Sequence, residues 1–348
     1  MSPTRVLGLE TSCDETATAV VVDGRQVLAS TVASSERLHA RFGGVVPEIA
    51  CRAHLESLVP VLCTTLEKSG MTLEAIDAVA VTNRPGLVGA LLVGVSAAKT
   101  LAWVLEKPLL AVDHLQAHIY AAHLGGEEVP YPHVTLIVSG GHTSLFLVTG
   151  PLEAEMLGAT IDDAAGEAFD KVANLLGLLT PESYHGGPVI QRAATVGNPA
   201  AVHFPRSLLD GKSLDFSFSG LKTAVLYYCH GQDAGRGLDP TIVGQKLSDV
   251  AASFQEAVVD VLVEKTLTAA RRFQCRTITV GGGVAANGRL RTRLTAAAAH
   301  EERRVFFPPL PLCLDNAVMV AGLGYHLLAA GHTAGLDLDV HAQLVRGN

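Results

Sequence analysis

Apolar and polar positions follow the same order in two distant segments of the chain. Residues 6–9 are apolar, residues 11–15 are polar, and residues 17–22 are apolar again. Asp23-Gly24 then supplies the positive-φ positions of a two-residue hairpin turn into residues 26–29. Residues 133–150 (HVTLIVSGGHTSLFLVTG) repeat the order of strand, Ser/Gly/Thr turn and strand. This repetition predicts a duplicated domain, with one copy opening each half.

Strands alternate with helices in the remaining segments. Residues 75–105 read as strand, Pro-Gly turn and helix, residues 107–118 as strand and helix, and residues 275–299 as strand, glycine turn and helix. This order predicts a two-lobed α/β fold. A further helix is expected over residues 161–179, beginning at an Asp cap. Its buried face would be Ala165, Ala168, Val172, Leu175 and Leu176.

Composition narrows the class of protein. The chain has 348 residues, of which 48% are hydrophobic and 17% charged, so it can form about two folded domains and is not disordered. Its six cysteines form no CxxC pair, which argues against a zinc knuckle or a disulfide framework. Lys99 and three glycines interrupt the apolar residues 85–105, which favours a buried helix over a membrane span. With no secretory signal at the N-terminus, we expect a cytoplasmic protein.

The charge is unevenly distributed. A net charge of −8 argues against nonspecific nucleic-acid binding by the whole surface. Between Lys265 and Arg304, however, nine Lys/Arg face only the two acids Glu301 and Glu302, a local balance of +7. This segment is either a solvated helical face or a surface that contacts phosphates.

Three polar or glycine-rich turns follow apolar strands, at residues 11–15, 139–143 and 281–287. Backbone N–H groups in such turns can bind an anion. Neither the Walker sequence nor GxGxxG is present. Each turn alone is compatible with an ordinary chain reversal, whereas the matched pair in two lobes favours a nucleotide phosphate held between them.

Two histidines occur at helical spacing. His114 and His118 lie four residues apart in HLQAH, which allows both rings to reach one metal ion, although the pair is also compatible with coincidence in a chain of 14 histidines. His123 falls on the opposite side of such a helix. A metal ion would need a third ligand, and Asp315 in the Pro-rich loop before the last apolar helix is the candidate.

The same residues exclude a protease of the HExxH type. That chemistry requires a glutamate directly after the first histidine as general base. Leu115 occupies this position, and Gln116 cannot accept a proton. The metal-site interpretation therefore stands without the protease activity.

Nine segments in order resemble one family, the tRNA N6-adenosine threonylcarbamoyltransferases, formerly called O-sialoglycoprotein endopeptidases. They are GLETSCDET (8–16), HARFGGVVPE (39–48), PGLVGALLVG (85–94), HLQAH (114–118), LIVSGGHTSL (136–145), IDDAAGEAFDK (161–171), LDFSFSGLKT (214–223), GGGVAANGRLR (281–291) and CLDNAVM (313–319). The resemblance implies an actin-like ATPase (ASKHA) superfold with two ribonuclease-H-like lobes around a nucleotide cleft. Residues 1–131 plus 318–348 would form the N-terminal lobe and residues 132–317 the C-terminal lobe.

The resemblance also implies an activity and partners. The threonylcarbamoyl group would pass from threonylcarbamoyl-AMP to N6 of the adenosine 3′ to the anticodon in tRNAs that read ANN codons. An adenine nucleotide, either threonylcarbamoyl-AMP or ATP, would occupy the cleft. The partners would be tRNA, a bacterial paralogue (TsaB) and a P-loop ATPase (TsaE), with no membrane or DNA. An ATPase or small-molecule kinase without an RNA substrate, and a nucleotide-gated interaction protein, remain alternatives.

Site residues follow from the matched motifs. His114, His118 and Asp315 would hold one metal ion, Fe²⁺ by the family's usual assignment and Zn²⁺ as an alternative. Asp14 and Glu15 would be the catalytic acidic residues at the mouth of the cleft. The residues expected to bind the substrate are Ile137, Val138, Ser139, Gly140, Gly141, Asp170, Gly187, Gln191 and Asn287. The arginines expected to help dock tRNA are Arg271, Arg272, Arg289, Arg291 and Arg293.

The chain departs from the family pattern at several positions. Gln116 and Ala117 replace the middle of a His-x-Glu-Gly-His run, and TPESYHGGP is four residues longer than the usual YPGGP. Gln191 stands where an acidic residue is common, which puts one ribose contact in doubt. Arg84 replaces the glycine of a Gly-Pro-Gly turn.

Overall fold

The computed structural model describes residues 3–180, 185–209, 211–231 and 237–343. The chain divides into two compact units, Met1–Glu128 with Pro308–Asn348, and Val129–Phe307. Residues 308–317, which the sequence assigned to the C-terminal lobe, group with the first unit, and residues 129–131 group with the second.

The first unit contains a five-stranded sheet in the order β3-β2-β1-β4-β5. β2 pairs antiparallel with β1 and β3, whereas β1, β4 and β5 are parallel. Its strands are β1 (Arg5–Glu10), β2 (Glu15–Val22), β3 (Gln26–Ser34), β4 (Ala78–Arg84) and β5 (Leu109–Asp113). Its α-helices are α1 (Glu36–His39), α2 (Pro47–Ser69), α3 (Val88–Leu105), α4 (His114–Tyr120) and α10 (Ala317–Ala329).

The second unit repeats this sheet in the order β8-β7-β6-β9-β10, with the same pattern of antiparallel and parallel pairs. Its strands are β6 (His133–Val138), β7 (Thr143–Gly150), β8 (Glu153–Ala159), β9 (Thr277–Gly281) and β10 (Arg304–Phe306). Its α-helices within the described residues are α5 (Ala165–Leu175), α6 (Gly186–Ala194), α7 (Ser219–His230), α8 (Gly244–Arg272) and α9 (Gly288–Ala299). The shared strand order confirms the duplicated α/β fold. The predicted hairpin turn is also present, with φ of 49° at Asp23 and 74° at Gly24.

Strand β1 has a different neighbour on each face, because successive side chains of a strand point in opposite directions. Leu7 and Leu9 belong to the core cluster that includes residues of α2 and α3. A Cβ added to Gly8 would instead meet backbone atoms of α10. Glu10, two residues after Gly8, therefore lies on the same face of β1, the face towards α10.

Helix α10 lies unusually close to the sheet. A Cβ built on Gly8 would lie 2.8 Å from the backbone nitrogen of Ala321 and still closer to the carbonyl oxygen of Ala317. A Cβ on Gly324 would lie 2.7 Å from the Cβ of Ala80 on β4. These contacts fix the position of the helix, whose first residue, Ala317, lies two residues after Asp315.

Two helices of the first unit, α2 and α3, have the length and apolarity of a membrane span, at mean hydropathies of 1.2 and 1.8. Length and composition alone do not separate a span from the core helix of a soluble protein. The inner face of α3 (Ala90, Leu91, Val95, Ala98) is buried, as expected for a helix that covers a sheet. Its outer face is not enclosed, since Leu92 and Trp103 are exposed.

The predicted start of the helix at residue 161 is wrong. Helix α5 begins at Ala165, and its N-cap residue Ala164 makes no side-chain cap. Asp162 instead accepts hydrogen bonds from the backbone N–H groups of Phe218 and Ser219 at the start of α7. The aspartate caps a helix distant in sequence, which local capping rules cannot detect. Of the predicted apolar face, Ala165, Ala168, Val172 and Leu176 are buried and Leu175 is half-buried.

Gly8→Ala is expected to lower the free energy of unfolding by about 1–3 kcal/mol, because the added methyl group meets backbone atoms that cannot move independently of α10. The same substitution in helix α3, Gly89→Ala, is the control. Its Cβ would lie 3.5 Å from Cys51 Sγ, an ordinary contact, and alanine favours the helix by up to about 1 kcal/mol. Urea unfolding measures both variants, and equal stabilities would contradict the close approach of α10 to β1.

Candidate metal centre

Three parallel strands bring polar groups to one edge of the first sheet. β1 ends at Glu10, β4 carries Thr82 near its end, and β5 is followed directly by His114, the first residue of α4. Since the carboxyl ends of parallel strands meet at one edge, the three side chains converge there. Asp113 begins the helix by accepting hydrogen bonds from the N–H groups of residues 115 and 116 at 2.9 and 3.2 Å.

The three predicted metal ligands lie together at this edge. His118 Nε2 is 3.0 Å and His114 Nε2 is 3.4 Å from Asp315 Oδ1. One ligand atom from each residue falls within 4.8 Å of the others. The helical spacing stacks the two rings edge to face, with centroids 4.6 Å apart. The group could therefore hold a metal ion.

The donor set fits a divalent transition metal. Two imidazole nitrogens and one carboxylate oxygen form the protein ligands of many catalytic zinc and non-haem iron sites, which keep positions open for substrate or water. His123 is not among these ligands. Its ring stacks on the ring of Tyr120, with 5.2 Å between the two centroids.

The electrostatics of the centre favour a cation. Burial is the largest influence on the pKa of Asp315 and would raise it, but His114 and His118 bring it well below its usual range. Burial acts in the same direction on the pKa of Glu10, and His114 again outweighs it, so that the pKa is lowered. For His114, burial would lower the pKa, whereas Asp315 and Glu10 raise it well above its ordinary value. Asp315 and Glu10 thus favour positive charge at His114, which is the sign of charge that a metal ion would bring.

Asp14 lies in the turn after β1, and Glu15 is the first residue of β2. Asp14 is buried, and its carbonyl oxygen accepts hydrogen bonds from Ser35 N and Oγ. Burial, followed by Asp315 and Asp14, raises the pKa of Glu15 to about 10. A protonated carboxyl group cannot act as a base. A cation beside Asp315 would remove one of the causes of this raised pKa, whereas burial, the largest cause, would remain.

The predicted glycine turns of the second unit lie next to each other. β6 and β9 are parallel neighbours, and Gly282, with φ of 88°, approaches the carbonyl oxygen of Val138. Ile137 and Val138 themselves are fully buried, so their side chains cannot contact a ligand. Gly140 and Gly141 face open space and expose the backbone of the turn.

Four further predicted residues lie around helices α5, α6 and α9 of the second unit. Asp170 accepts a hydrogen bond from Gly186 N at 2.5 Å, and the adjacent Gly187 faces open space. Gln191 accepts from Gly288 N at 2.8 Å, and Asn287 caps α9 by accepting from Leu290 N at 3.0 Å. The insertion at 180–185 falls largely on residues 181–184, outside the described residues.

Part of the basic segment is paired with acids. Arg271 pairs with Glu264 and Glu301, and Arg289 and Arg293 pair with Glu256. Arg272 donates to the carbonyl oxygen of Gly211, and Arg291 lies over the ring of Phe307. Acids at 256, 260 and 264, just before the window in which the local balance is +7, reduce its positive charge without cancelling it. The docking of tRNA by these arginines stays a prediction.

Sequence reasoning missed Glu10 and Ser12, which contact His114, and Thr82, which contacts Glu10. Glu10 Oε2 and Ser12 Oγ lie 3.1 and 3.2 Å from His114 Nδ1, and Thr82 Oγ1 donates to Glu10 at 2.6 Å. The alternation of side chains along β1 could have identified Glu10. It places this acid at the end of a buried strand, on the same face as Gly8, which packs against α10.

Comparisons with known proteins now identify the family. A family model described as TsaD, tRNA N6-adenosine threonylcarbamoyltransferase, matches residues 26–322. The chain belongs to this family. Proteins of the same name from Anaeromyxobacter dehalogenans (strain 2CP-C) and Symbiobacterium thermophilum are 52% and 53% identical to it. The alignments cover 97% and 96% of this chain and 98% and 94% of theirs.

Solved structures agree on the fold. The HypF protein of T. kodakarensis is 15% identical with a TM-score of 0.62, over 95% of this chain and 48% of its own. Component A of the Acidaminococcus fermentans (R)-2-hydroxyglutaryl-CoA dehydratase is 16% identical with a TM-score of 0.51, over 94% and 99% of the two chains. The fold is the actin-like superfold, and the family is one of tRNA-modifying transferases.

Zn²⁺ or Fe²⁺ is expected to stabilise the metal-free protein. An ion at about 100 times its Kd adds about 2.7 kcal/mol to the free energy of unfolding. Asp315→Asn removes a charged ligand and should lose most of this gain, whereas Asp337→Asn, an exposed carboxylate of the same unit, should retain it. Thermal unfolding with and without the ion measures the difference. An equal gain in Asp315→Asn would exclude Asp315 as a ligand.

Asp170→Asn is expected to preserve or increase stability at about pH 7, because burial raises the pKa of Asp170 while asparagine can still accept from Gly186 N. A raised pKa means that the ionised group destabilises the folded state above the unfolded pKa of about 3.9, and that this cost disappears at lower pH. The advantage of the variant should therefore shrink towards about pH 4.

Asp249→Asn is the control of opposite sign. The backbone N–H of Asn198 lowers the pKa of Asp249, so this variant should lose stability at neutral pH. Urea unfolding at both pH values measures the two variants. A loss for Asp170→Asn that grows with pH would contradict the desolvation cost.

Proposed function

We propose that the chain transfers the threonylcarbamoyl group from threonylcarbamoyl-AMP to N6 of the adenosine 3′ to the anticodon in tRNAs that read ANN codons. His114, His118 and Asp315 hold one divalent ion, Fe²⁺ or Zn²⁺, for this reaction. The observation that carries the proposal is the convergence of these three ligand atoms at the carboxyl edge of the first sheet, in a chain of this family.

In the reaction, N6 attacks the carbonyl carbon of the threonylcarbamoyl group, the bond to the phosphate oxygen breaks, AMP leaves, and N6 loses a proton. Negative charge develops on the carbonyl oxygen and on the phosphate. An ion at the His/His/Asp site would supply Lewis-acid stabilisation of that charge. The negative charge that would attract this ion comes from Asp315 and from Glu10, which is fully buried next to His114.

The second unit would bind the adenylate. The exposed backbone of Gly140 and Gly141 offers N–H groups to an anion, and one such donor contributes about 10²–10³ in rate in comparable sites. Open space at Gly187 beside Asp170 leaves room for the nucleoside. Gln191 and Asn287 would then act through the start of α9, which both side chains contact.

Asp14 or Glu15 would accept the proton from N6. The pKa of Glu15 is raised to about 10, first by burial and then by Asp315 and Asp14, so an ion beside Asp315 would favour its ionised form.

The proposed partners are tRNA, a bacterial paralogue (TsaB) and a P-loop ATPase (TsaE), in the cytoplasm, where tRNA is found. The rival function is an ATPase or small-molecule kinase of the same superfold. The His/His/Asp centre favours the transferase, because phosphate transfer to a small acceptor does not require it.

The test combines purified protein, threonylcarbamoyl-AMP and unmodified tRNA, with and without the two partners, followed by digestion and mass spectrometry. Threonylcarbamoyladenosine is expected with wild type and with His332→Ala, an exposed histidine of the same unit. His114→Ala should reduce the product at least about 10²-fold, since it removes a ligand of the charge-stabilising ion. ATP turnover on a small acceptor, without tRNA product under any partner condition, would establish the kinase instead.

A further inference from the structure

Glu10 is a fully buried carboxylate with three hydrogen-bonding neighbours. Its Oε1 accepts from the backbone N–H of Ser12 at 2.6 Å. Its Oε2 accepts from Thr82 Oγ1 at 2.6 Å and lies 3.1 Å from His114 Nδ1. The carboxylate thus stands behind His114, on the side opposite the nitrogen that faces Asp315.

An ionised carboxylate only accepts hydrogen bonds, so the ring nitrogen next to it must carry the proton. With Nδ1 protonated, Nε2 is the nitrogen that is left to bind an ion, which would displace the proton that the neighbouring Asp315 favours there. A histidine that binds a metal through one nitrogen commonly donates the other N–H to a carboxylate, which fixes the ring and makes it a stronger ligand.

We propose that Glu10 is a positioning residue of the metal centre, which holds His114 in the Nδ1–H tautomer and so makes its Nε2 available to the ion. This inference rests on the metal site of the proposed function and concerns binding of the ion, not transfer to tRNA. His118 has no equivalent support, since its Nδ1 is buried without a hydrogen-bond partner among the described residues.

Ser12 offers a competing assignment. Its hydroxyl lies 3.2 Å from the same His114 Nδ1 and could donate to it, which would place the ring proton on Nε2 and block metal binding. The two assignments predict opposite effects of substitutions at Glu10 and Ser12, and this contrast defines the experiment.

Glu10→Gln replaces the hydrogen-bond acceptor Oε2 with a donor NH₂ group. The backbone N–H of Ser12 requires an acceptor, so the amide oxygen takes the place of Oε1 and the NH₂ group takes the place of Oε2. The NH₂ group then donates to His114 Nδ1 and moves the ring proton to Nε2. We expect Co²⁺ or Zn²⁺ affinity to fall about 10–100-fold.

The matched controls are Thr82→Val and Ser12→Ala. Thr82→Val removes a hydroxyl from Glu10 but keeps its charge and its contact with His114, so it should change the affinity far less than Glu10→Gln. Ser12→Ala leaves the backbone N–H in place and should also bind the ion. If instead Ser12→Ala changes affinity strongly and Glu10→Gln does not, Ser12 rather than Glu10 sets the tautomer.

The measurement is titration of the metal-free full-length variants with Co²⁺ by absorption and with Zn²⁺ by chelator competition, alongside thermal unfolding to establish that each variant is folded. A folded Glu10→Gln with wild-type affinity would overturn the proposal. A wild-type protein that binds neither ion would overturn the metal site itself, a different result.

A second measurement needs no change at Glu10. In the Zn²⁺-loaded wild-type protein, long-range nitrogen–proton NMR spectra of the histidine rings are expected to show a proton on His114 Nδ1. The signal is assigned by its loss in His114→Asn. An unprotonated Nδ1 would contradict the proposal even if Glu10→Gln did not fold.

Discussion

The close approach of helix α10 to strand β1 is the constraint on which the rest of the first unit depends. Gly8 lies against the backbone of α10, and Gly324 lies against the Cβ of Ala80, so helix and sheet approach closely where one of them carries a glycine. Interiors are packed densely enough that such a contact allows little sliding. Because the position of α10 is fixed, so is that of the loop before it, in which Asp315 Oδ1 lies 3.0 Å from His118 Nε2. A core contact made of small residues thus determines the geometry of a polar centre.

Charge supplies the second constraint. Glu10 is fully buried, and the recorded ion pairs of Glu10 and Asp315 within the described part of the chain involve histidine only. Burying a carboxylate is costly for folding. Here the neighbouring histidines outweigh that cost, since the pKa values of Glu10 and Asp315 are lowered. A buried cluster of ionisable groups with strongly perturbed pKa values is typical of a functional site. An ion between the histidines and Asp315 would add positive charge beside the carboxylates, which would connect metal binding to the stability of the unit.

Local patterns predicted the duplicated α/β fold and the histidine pair, because strand alternation, hairpin chemistry and helical spacing act over a few residues. Asp315 was only a candidate third ligand until the family resemblance implied it. Local patterns failed where partners are distant in sequence. Asp162 caps α7 rather than α5 because its partners are at 218 and 219. Arg293 on α9 pairs with Glu256 on α8, and strand β9 separates these two helices along the chain. Glu10 gained its role only when β1, β4 and β5 were placed side by side.

The two histidines of the centre illustrate what helical spacing leaves open. The i, i+4 pattern directs both rings to one point but says nothing about which nitrogen of each ring carries the proton. At His114 the carboxylate of Glu10 accepts a hydrogen bond from Nδ1 and so favours a proton on that nitrogen. At His118 no described residue forms a hydrogen bond with Nδ1, so no side chain fixes the tautomer from that side. In the proposed centre, strand β1 would orient His114 through Glu10, whereas His118 would depend on its position on α4 alone.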